Sequence, residues 1–234
     1  GVMAAVGSRG QRDFGSAGPA RSTPGWTRRV VGALPGAAHT RRMNAAFALP
    51  GSIDGLPAPE GPRVRLRAPR QSDAADVYAV YSDPQVLRYW SHGPWSDPAQ
   101  ADDWIARSWA GFADRSALQW VVARREDDRV VGSTTLFACV AQHRRCEIGY
   151  ALGAAHWGRG LAQEALALAL EQAFGVLGLN RIEADIDPRN LASVRLVEAL
   201  GFRREGELRA RYHVGGEIQD SLIYGLLASD RAAR

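Results

Sequence analysis

Long apolar runs are missing from this chain of 234 residues. Its most apolar helical stretch, residues 161–177, is interrupted by Gln163, Glu164, Glu171 and Gln172, which excludes a bilayer span and leaves a core helix. Cysteine is nearly absent: Cys139 and Cys146 are too few for a disulfide framework or a zinc site, and two free thiols in a cytoplasmic protein are expected. His92, His143, His156 and His213 lack metal-ligand spacing, so no metal is expected. Lysine does not occur. All 29 basic residues are arginine, which reads as the base composition of a GC-rich genome rather than as a mechanism.

A surplus of one charge is also missing from most of the chain, although the whole carries a formal +4. Before residue 63, Arg9, Arg12, Arg21, Arg28, Arg29, Arg41 and Arg42 face only Asp13, Asp54 and Glu60; beyond it, arginines and carboxylates cancel. A specific nucleic-acid face is therefore poorly supported, and only the first segment offers a nonspecific electrostatic attraction. Residues 1–62, rich in Gly, Ala, Pro, Ser and Arg and without a helical or strand period, read as a disordered basic extension. Their composition resembles a transit peptide, but no clean amphipathic helix emerges, and Met43 is expected to be a natural start. Residues 63–234 read as one domain, and a hydrophobic content of 46% over the whole chain supplies enough core.

Within that domain the patterns alternate between strand and helix. A short strand at 63–66 precedes a helix capped by Ser72 or Asp73, with Ala74, Val77, Tyr78 and Tyr81 on one face. Asp97 and Pro98 open a second helix whose Ile105, Trp109 and Phe112 fall on an inward stripe. Segments 118–123, 130–137 and 146–152 read as an antiparallel meander. A helix to Leu177 and a strand at 181–186 then make a right-handed parallel crossover. Asn190 caps a helix to Leu200, and segments 203–212 and 219–226 return to the sheet. The class is α+β: a mixed, mostly antiparallel sheet flanked by helices.

Tyr150 to Ala162 runs from a strand through a glycine-bearing turn into a helix. Gly158 and Gly160 let the backbone bend, and the first amides of the helix, at the positive end of its dipole, suit a phosphate. A plain tight turn explains the glycines equally well. Downstream, Glu183 and Asp185 lie two apart on a strand, hence on one face. Facing a cleft they would raise each other's pKa and suit a general base; as a solvated face they mean nothing. Glu147, on the adjoining strand, is a third carboxylate, with an ion pair to Arg144, Arg145 or Arg181 as its ordinary explanation.

The ordered set of Glu147 to Tyr150 (Glu-Ile-Gly-Tyr), Trp157-Gly158-Arg159-Gly160-Leu161-Ala162, Asn190 to Phe202, and Gly216 with Asp220 resembles the GNAT acetyltransferases, over roughly residues 63–228. Tryptophan at 157, in place of the usual Gln or Arg, resembles the Rim-type branch that acetylates ribosomal-protein N-termini. The resemblance implies acetyl-CoA as co-substrate, its diphosphate on residues 157–162 and its pantetheine arm paired with the backbone of Tyr150, Ala151 and Leu152. It implies a hydrogen bond from that arm to Asn190, and Ser193 near the sulfur as acid. Many relatives carry a tyrosine where Val197 stands. Tyr89, Trp90, Trp95 and Tyr212, with Glu147, are the expected acceptor walls; Trp104, Trp109 and Trp120 read as core. The implied reaction is direct attack by a primary amine, foremost a protein N-terminus, in a monomer or homodimer. A small-molecule amine or aminoglycoside, or a non-catalytic acyl-CoA-binding module, are the alternatives. A dinucleotide fold fits less well, because Gln163 stands where Gly or Ala is needed. The absence of lysine excludes self-acetylation on lysine side chains.

Overall fold

The computed structural model describes residues 58–232, so the expected extension lies, up to residue 57, outside the described residues. Seven strands form one sheet in the order β1-β2-β3-β4-β5-β7-β6. They are β1 (Val64–Arg67), β2 (Leu118–Arg124), β3 (Val130–Val140), β4 (Arg145–Leu152), β5 (Arg181–Ile186), β6 (Arg203–Val214) and β7 (Glu217–Leu227). Among the described residues only β4 and β5 run parallel; the mixed sheet follows from the helical crossover between them, since parallel neighbours cannot be joined by a hairpin.

The helices are α1 (Ala74–Tyr81), α2 (Ala99–Asp114), α3 (Leu161–Glu171), α4 (Leu191–Ala199) and α5 (Ala228–Ala232). Alternation along the strands divides the core between the two sheet faces. Trp120 and Val122 on β2, Ile148 and Tyr150 on β4, and Ile182 and Ala184 on β5 pack with Leu166 and Leu170 of α3 and Val197 of α4. On the opposite face Val121 and Ala151 meet Val77, Val80 and Tyr81 of α1 and Trp104 and Ile105 of α2. Glu147, Glu183 and Asp185 alternate with the first set and so belong to this second face.

Several local details depart from the sequence pattern. Asp73 begins α1, but its carboxylate turns back to take two hydrogen bonds from the buried Arg67, at 2.7 and 2.9 Å, and one from the Arg70 amide at 2.7 Å. The buried stripe of α2 is centred on Ala101, Trp104, Ile105, Ser108 and Phe112. Trp109 therefore sits at its margin, 40% exposed, with its indole donating to the Pro69 carbonyl at 2.9 Å, and is not a core residue. Past Glu171 the α3 helix widens into a π turn over Gln172–Val176 before Gly178 reverses the chain at φ +65°.

The expectation of two free thiols is overturned: Cys139 and Cys146 form a disulfide across the β3–β4 hairpin. The register shifts between Phe137, opposite Glu147, and Val140, opposite Arg145, so Ala138 and Cys139 share the place facing Cys146. Ala138 takes a left-handed φ of +49°, and the two Cα atoms of the cysteines come to 4.1 Å. Even spacing along paired strands hides such a bulge from the sequence. Thiol titration of the denatured protein is expected to find no free thiol without reductant and both after reduction; two thiols in the unreduced, aerobically purified protein would refute the bridge.

Candidate active site

The turn between β4 and α3 is built from both ends. Gly158 and Gly160 hold φ of +72° and +73°, a region that strains any residue with a Cβ. Gly160 precedes α3, and Glu164 is the first residue whose amide finds a helical acceptor, the Gly160 carbonyl at 3.1 Å. The amides before it face outward at the positive helix end. Arg63, just ahead of β1, braces the turn: its Nη1 donates to the Arg159 carbonyl at 2.5 Å and its Nε to Glu164 Oε2 at 2.7 Å. Glu164 Oε1 accepts the amides of Arg63 at 2.7 Å and Val64 at 3.0 Å. Burial alone would raise this carboxyl's pKa, but those two amides and the guanidinium outweigh it and hold it below the usual range. At the other end, the Trp157 indole donates to the Leu152 carbonyl at 2.7 Å and fastens the turn to the last residue of β4.

Beside the turn, β4 and β5 part. Their parallel pairing covers only Arg145–Glu147 against Arg181–Glu183, while β4 continues to Leu152 and β5 to Ile186. A cavity of about 520 Å³ opens against this end of the sheet. Of the residues expected to hold the cofactor, Leu152, Trp157, Gly158, Gly160, Leu161, Ala162 and Asn190 line it. Tyr150, Ala151 and Arg159 do not. The chain positions Asn190 by making it the cap of α4, where its Oδ1 accepts the Ser193 amide at 3.2 Å. Its Nδ2, in a side chain only 2% exposed, has no partner among the described residues. A buried donor left over on a cavity wall fits a ligand that brings an acceptor.

Sequence reasoning missed several walls: Gln85 and Arg88 before Tyr89, His156, Gln163, Arg189, and Leu191, Ala192 and Leu196 on α4. His156 and Arg189 adjoin motif residues and so were within reach; Gln85 and Arg88 arrive only through folding of the α1–α2 connection. Among the described residues no carboxylate lines the cavity, whereas Arg88, Arg189 and His156 do.

The remaining expected residues lie elsewhere. Ser193 is fully buried, its hydroxyl 2.9 Å from that of Tyr150, whose phenol burial pushes up in pKa. Trp90 and Trp95 are 6% and 9% exposed and pack around Tyr81, with Trp95 stacked on its ring at 4.6 Å; they are core rather than open walls. Glu183 is occupied by Arg145 at 2.8 Å and Arg181 at 2.7 Å. Asp185 accepts hydrogen bonds from the hydroxyls of Ser221 and, at 2.9 Å, Tyr212, with Arg211 at 3.5 Å. Glu147 alone of the three has no hydrogen bond or ion pair among the described residues. Burial, then Asp185 and Glu183, raise its pKa, and Arg211 and Arg145 offset this only in part.

Residues 63–203, more than half of the chain, match the family described as the acetyltransferase (GNAT) domain. The chain is a GNAT acetyltransferase. It is 34% identical over 170 residues to the uncharacterized N-acetyltransferase p20 of Bacillus licheniformis, covering 73% of this chain and 96% of that protein. The spermidine N-acetyltransferase of Vibrio cholerae, solved with CoA and spermine, superposes with a TM-score of 0.66 at 23% identity, over 74% of this chain and 99% of that one. The ribosomal-protein-S5-alanine acetyltransferase of Vibrio fischeri does so with a TM-score of 0.64 at 20% identity, over 74% and 98%. At such identities the last two show the fold alone. The acetyltransferase is thus an acetyl-CoA-dependent acyltransferase, and the acid-free cavity with its orphaned amide suits that co-substrate. Among the described residues, no cluster of His, Cys, Asp and Glu converges to hold a metal, and no helix is long and apolar enough to cross a membrane.

The brace beneath the turn carries a pH signature. Because the folded pKa of Glu164 is lowered, its stabilisation is present above the unfolded value of about 4.3 and is lost as pH falls through the folded one. Glu164→Gln is expected to cost about 1–2 kcal/mol at pH 7 in urea denaturation, a deficit that shrinks as the medium is acidified below about pH 4.

Proposed function

We propose that the acetyltransferase acetylates a single primary amine, foremost a protein N-terminal α-amine, by direct attack in a ternary complex, with Glu147 as general base. One observation carries the choice of base: on the face where β4 and β5 part, Glu147 is the carboxylate whose charge no arginine or hydroxyl engages directly. Glu183 is held in two ion pairs, and Asp185 is spent on Tyr212 and Ser221. The same inventory favours an acceptor with one ammonium. A polyamine brings several, and each needs its own unpaired carboxylate once desolvated.

Acetyl-CoA, when bound, supplies an acetyl group activated as a thioester. The outward amides at the start of α3, with Gly158 and Gly160 beneath, would hold its diphosphate, as helix N-termini hold anions generally. Asn190 Nδ2 would donate to the pantetheine arm, and the β4 backbone beyond Glu147, unpaired on the β5 side, would pair with it. Glu147 would take a proton from the acceptor's ammonium, which its raised pKa suits. The neutral amine so freed forms the C–N bond as the thioester C–S bond breaks, and the coenzyme leaves with its sulfur as a thiol, the second proton of the amine going to it through solvent. Ser193 is a positioning residue in this scheme: its buried hydroxyl, bonded to Tyr150, ties α4 to β4 and so steadies Asn190.

An acetylation screen over peptides with free N-termini, polyamines and aminoglycosides tests the acceptor; faster turnover of a polyamine than of every peptide would defeat the reading. Glu147→Gln is expected to lower kcat roughly 100-fold and to erase the rise of kcat/KM with pH on its acid side, leaving CoA affinity unchanged. If Glu147→Gln retains that limb and Glu183→Gln loses it, the base is misassigned. Asn190→Ser keeps a capping oxygen and removes the free donor; its dissociation constant for CoA, read by calorimetry, is expected to rise roughly fivefold.

A further inference from the structure

Arg88 lies in the connection between α1 and α2, far in sequence from the glycine turn, yet it lines the same cavity. Its guanidinium sits over the Tyr89 ring, 5.2 Å from the centroid, and that of Arg189 also approaches the ring at 5.7 Å. The two cations differ in what they have left to offer. Arg189 is neutralised by Asp187, which it reaches at 2.7 Å, and by Glu217 at 3.3 Å. Arg88 has no carboxylate partner among the described residues. A guanidinium held against an aromatic face keeps the N–H groups of its rim free, and their planar fork matches phosphate or carboxylate. Among the described residues, the cavity wall that receives it contains no acidic residue.

We propose that Arg88, steadied on Tyr89, recognises an anionic group of a bound ligand at the cavity mouth: a phosphate of coenzyme A or a carboxylate carried by the acceptor. The assignment rests on the acetyl-CoA reading of the cavity. It adds a specificity residue on an element that the glycine turn and Asn190 do not touch. Arg189 serves beside it as a fixed wall, because its charge is already matched on β7 and in the β5–α4 connection.

Calorimetric titration of the full chain and of Arg88→Gln with coenzyme A and with dephospho-coenzyme A tests the first source. A charge-assisted pair lost from a partly exposed site is expected to raise the coenzyme A dissociation constant about 10-fold. A loss seen only with coenzyme A assigns Arg88 to the 3′-phosphate, and an equal loss with both ligands assigns it to the diphosphate. Steady-state kinetics with N-terminal peptides bearing Asp or Asn at the second position tests the other source: a KM increase confined to the Asp peptide assigns Arg88 to the acceptor. Arg88→Lys, which keeps the charge and loses the fork, is expected to recover part of either effect. Unchanged dissociation constants and KM values in Arg88→Gln, while Asn190→Ser still weakens coenzyme A, overturn the assignment of Arg88 and leave the cavity reading intact. If the unaltered chain fails to bind coenzyme A, both fall together.

Discussion

The parting of β4 from β5 is the constraint on which the site depends. Parallel pairing holds the strands together through Glu147 and Glu183 and then stops, although both strands continue. Each is retained from its outer side: β4 pairs with β3 from Arg145 to Leu152, and β5 pairs with β7 from Arg181 to Ile186. The wedge is thus imposed by two intact ladders rather than by a loose end. It leaves a row of backbone groups on β4 without a sheet partner, and such groups must be satisfied by something. An extended amide-bearing ligand arm can do so in the manner of an added strand.

Everything beside the wedge keeps its mouth in shape. The indole of Trp157 fastens the glycine turn to the tip of β4, and Arg63 and Glu164 rivet the start of β1 to the first turn of α3. The hydroxyls of Tyr150 and Ser193 join β4 to α4, whose cap is Asn190. These bonds are individually modest, about 1 kcal/mol each, yet they fix three separate segments around one volume. Pre-placed donors then cost no reorganisation when a ligand arrives, the condition under which electrostatic stabilisation is most effective.

Charge is sorted across the sheet with similar economy. On the face of α1 and α2, carboxylates and arginines are matched one against another until Glu147 is left, desolvated and close to two other acids. In the cavity the balance is reversed, with arginine and no acid. The two sides of the wedge thus present opposite charge, which under the proposed reading would draw the anionic co-substrate to one and the amine of the acceptor to the other.

Much of this was legible in the chain as written. Period-two and period-3.6 patterning determined the seven strands and the main helices, and Gly158, Gly160 and Asn190 stand where local backbone chemistry requires a left-handed turn and a cap. Those properties depend on a residue and its near neighbours, so sequence carries them. The Cys139–Cys146 bridge, the exposure of Trp109, the burial of Trp90 and Trp95 and the arrival of Arg88 beside the glycine turn do not. Nor does the contrast among Glu147, Glu183 and Asp185, which are alike on paper. By itself the sequence determined which elements form and where a glycine turn meets the open N-terminus of a helix. Only the tertiary structure decided which carboxylate stays unpaired and which arginine reaches the cavity without a carboxylate partner, because pairing and desolvation are set by neighbours from other elements.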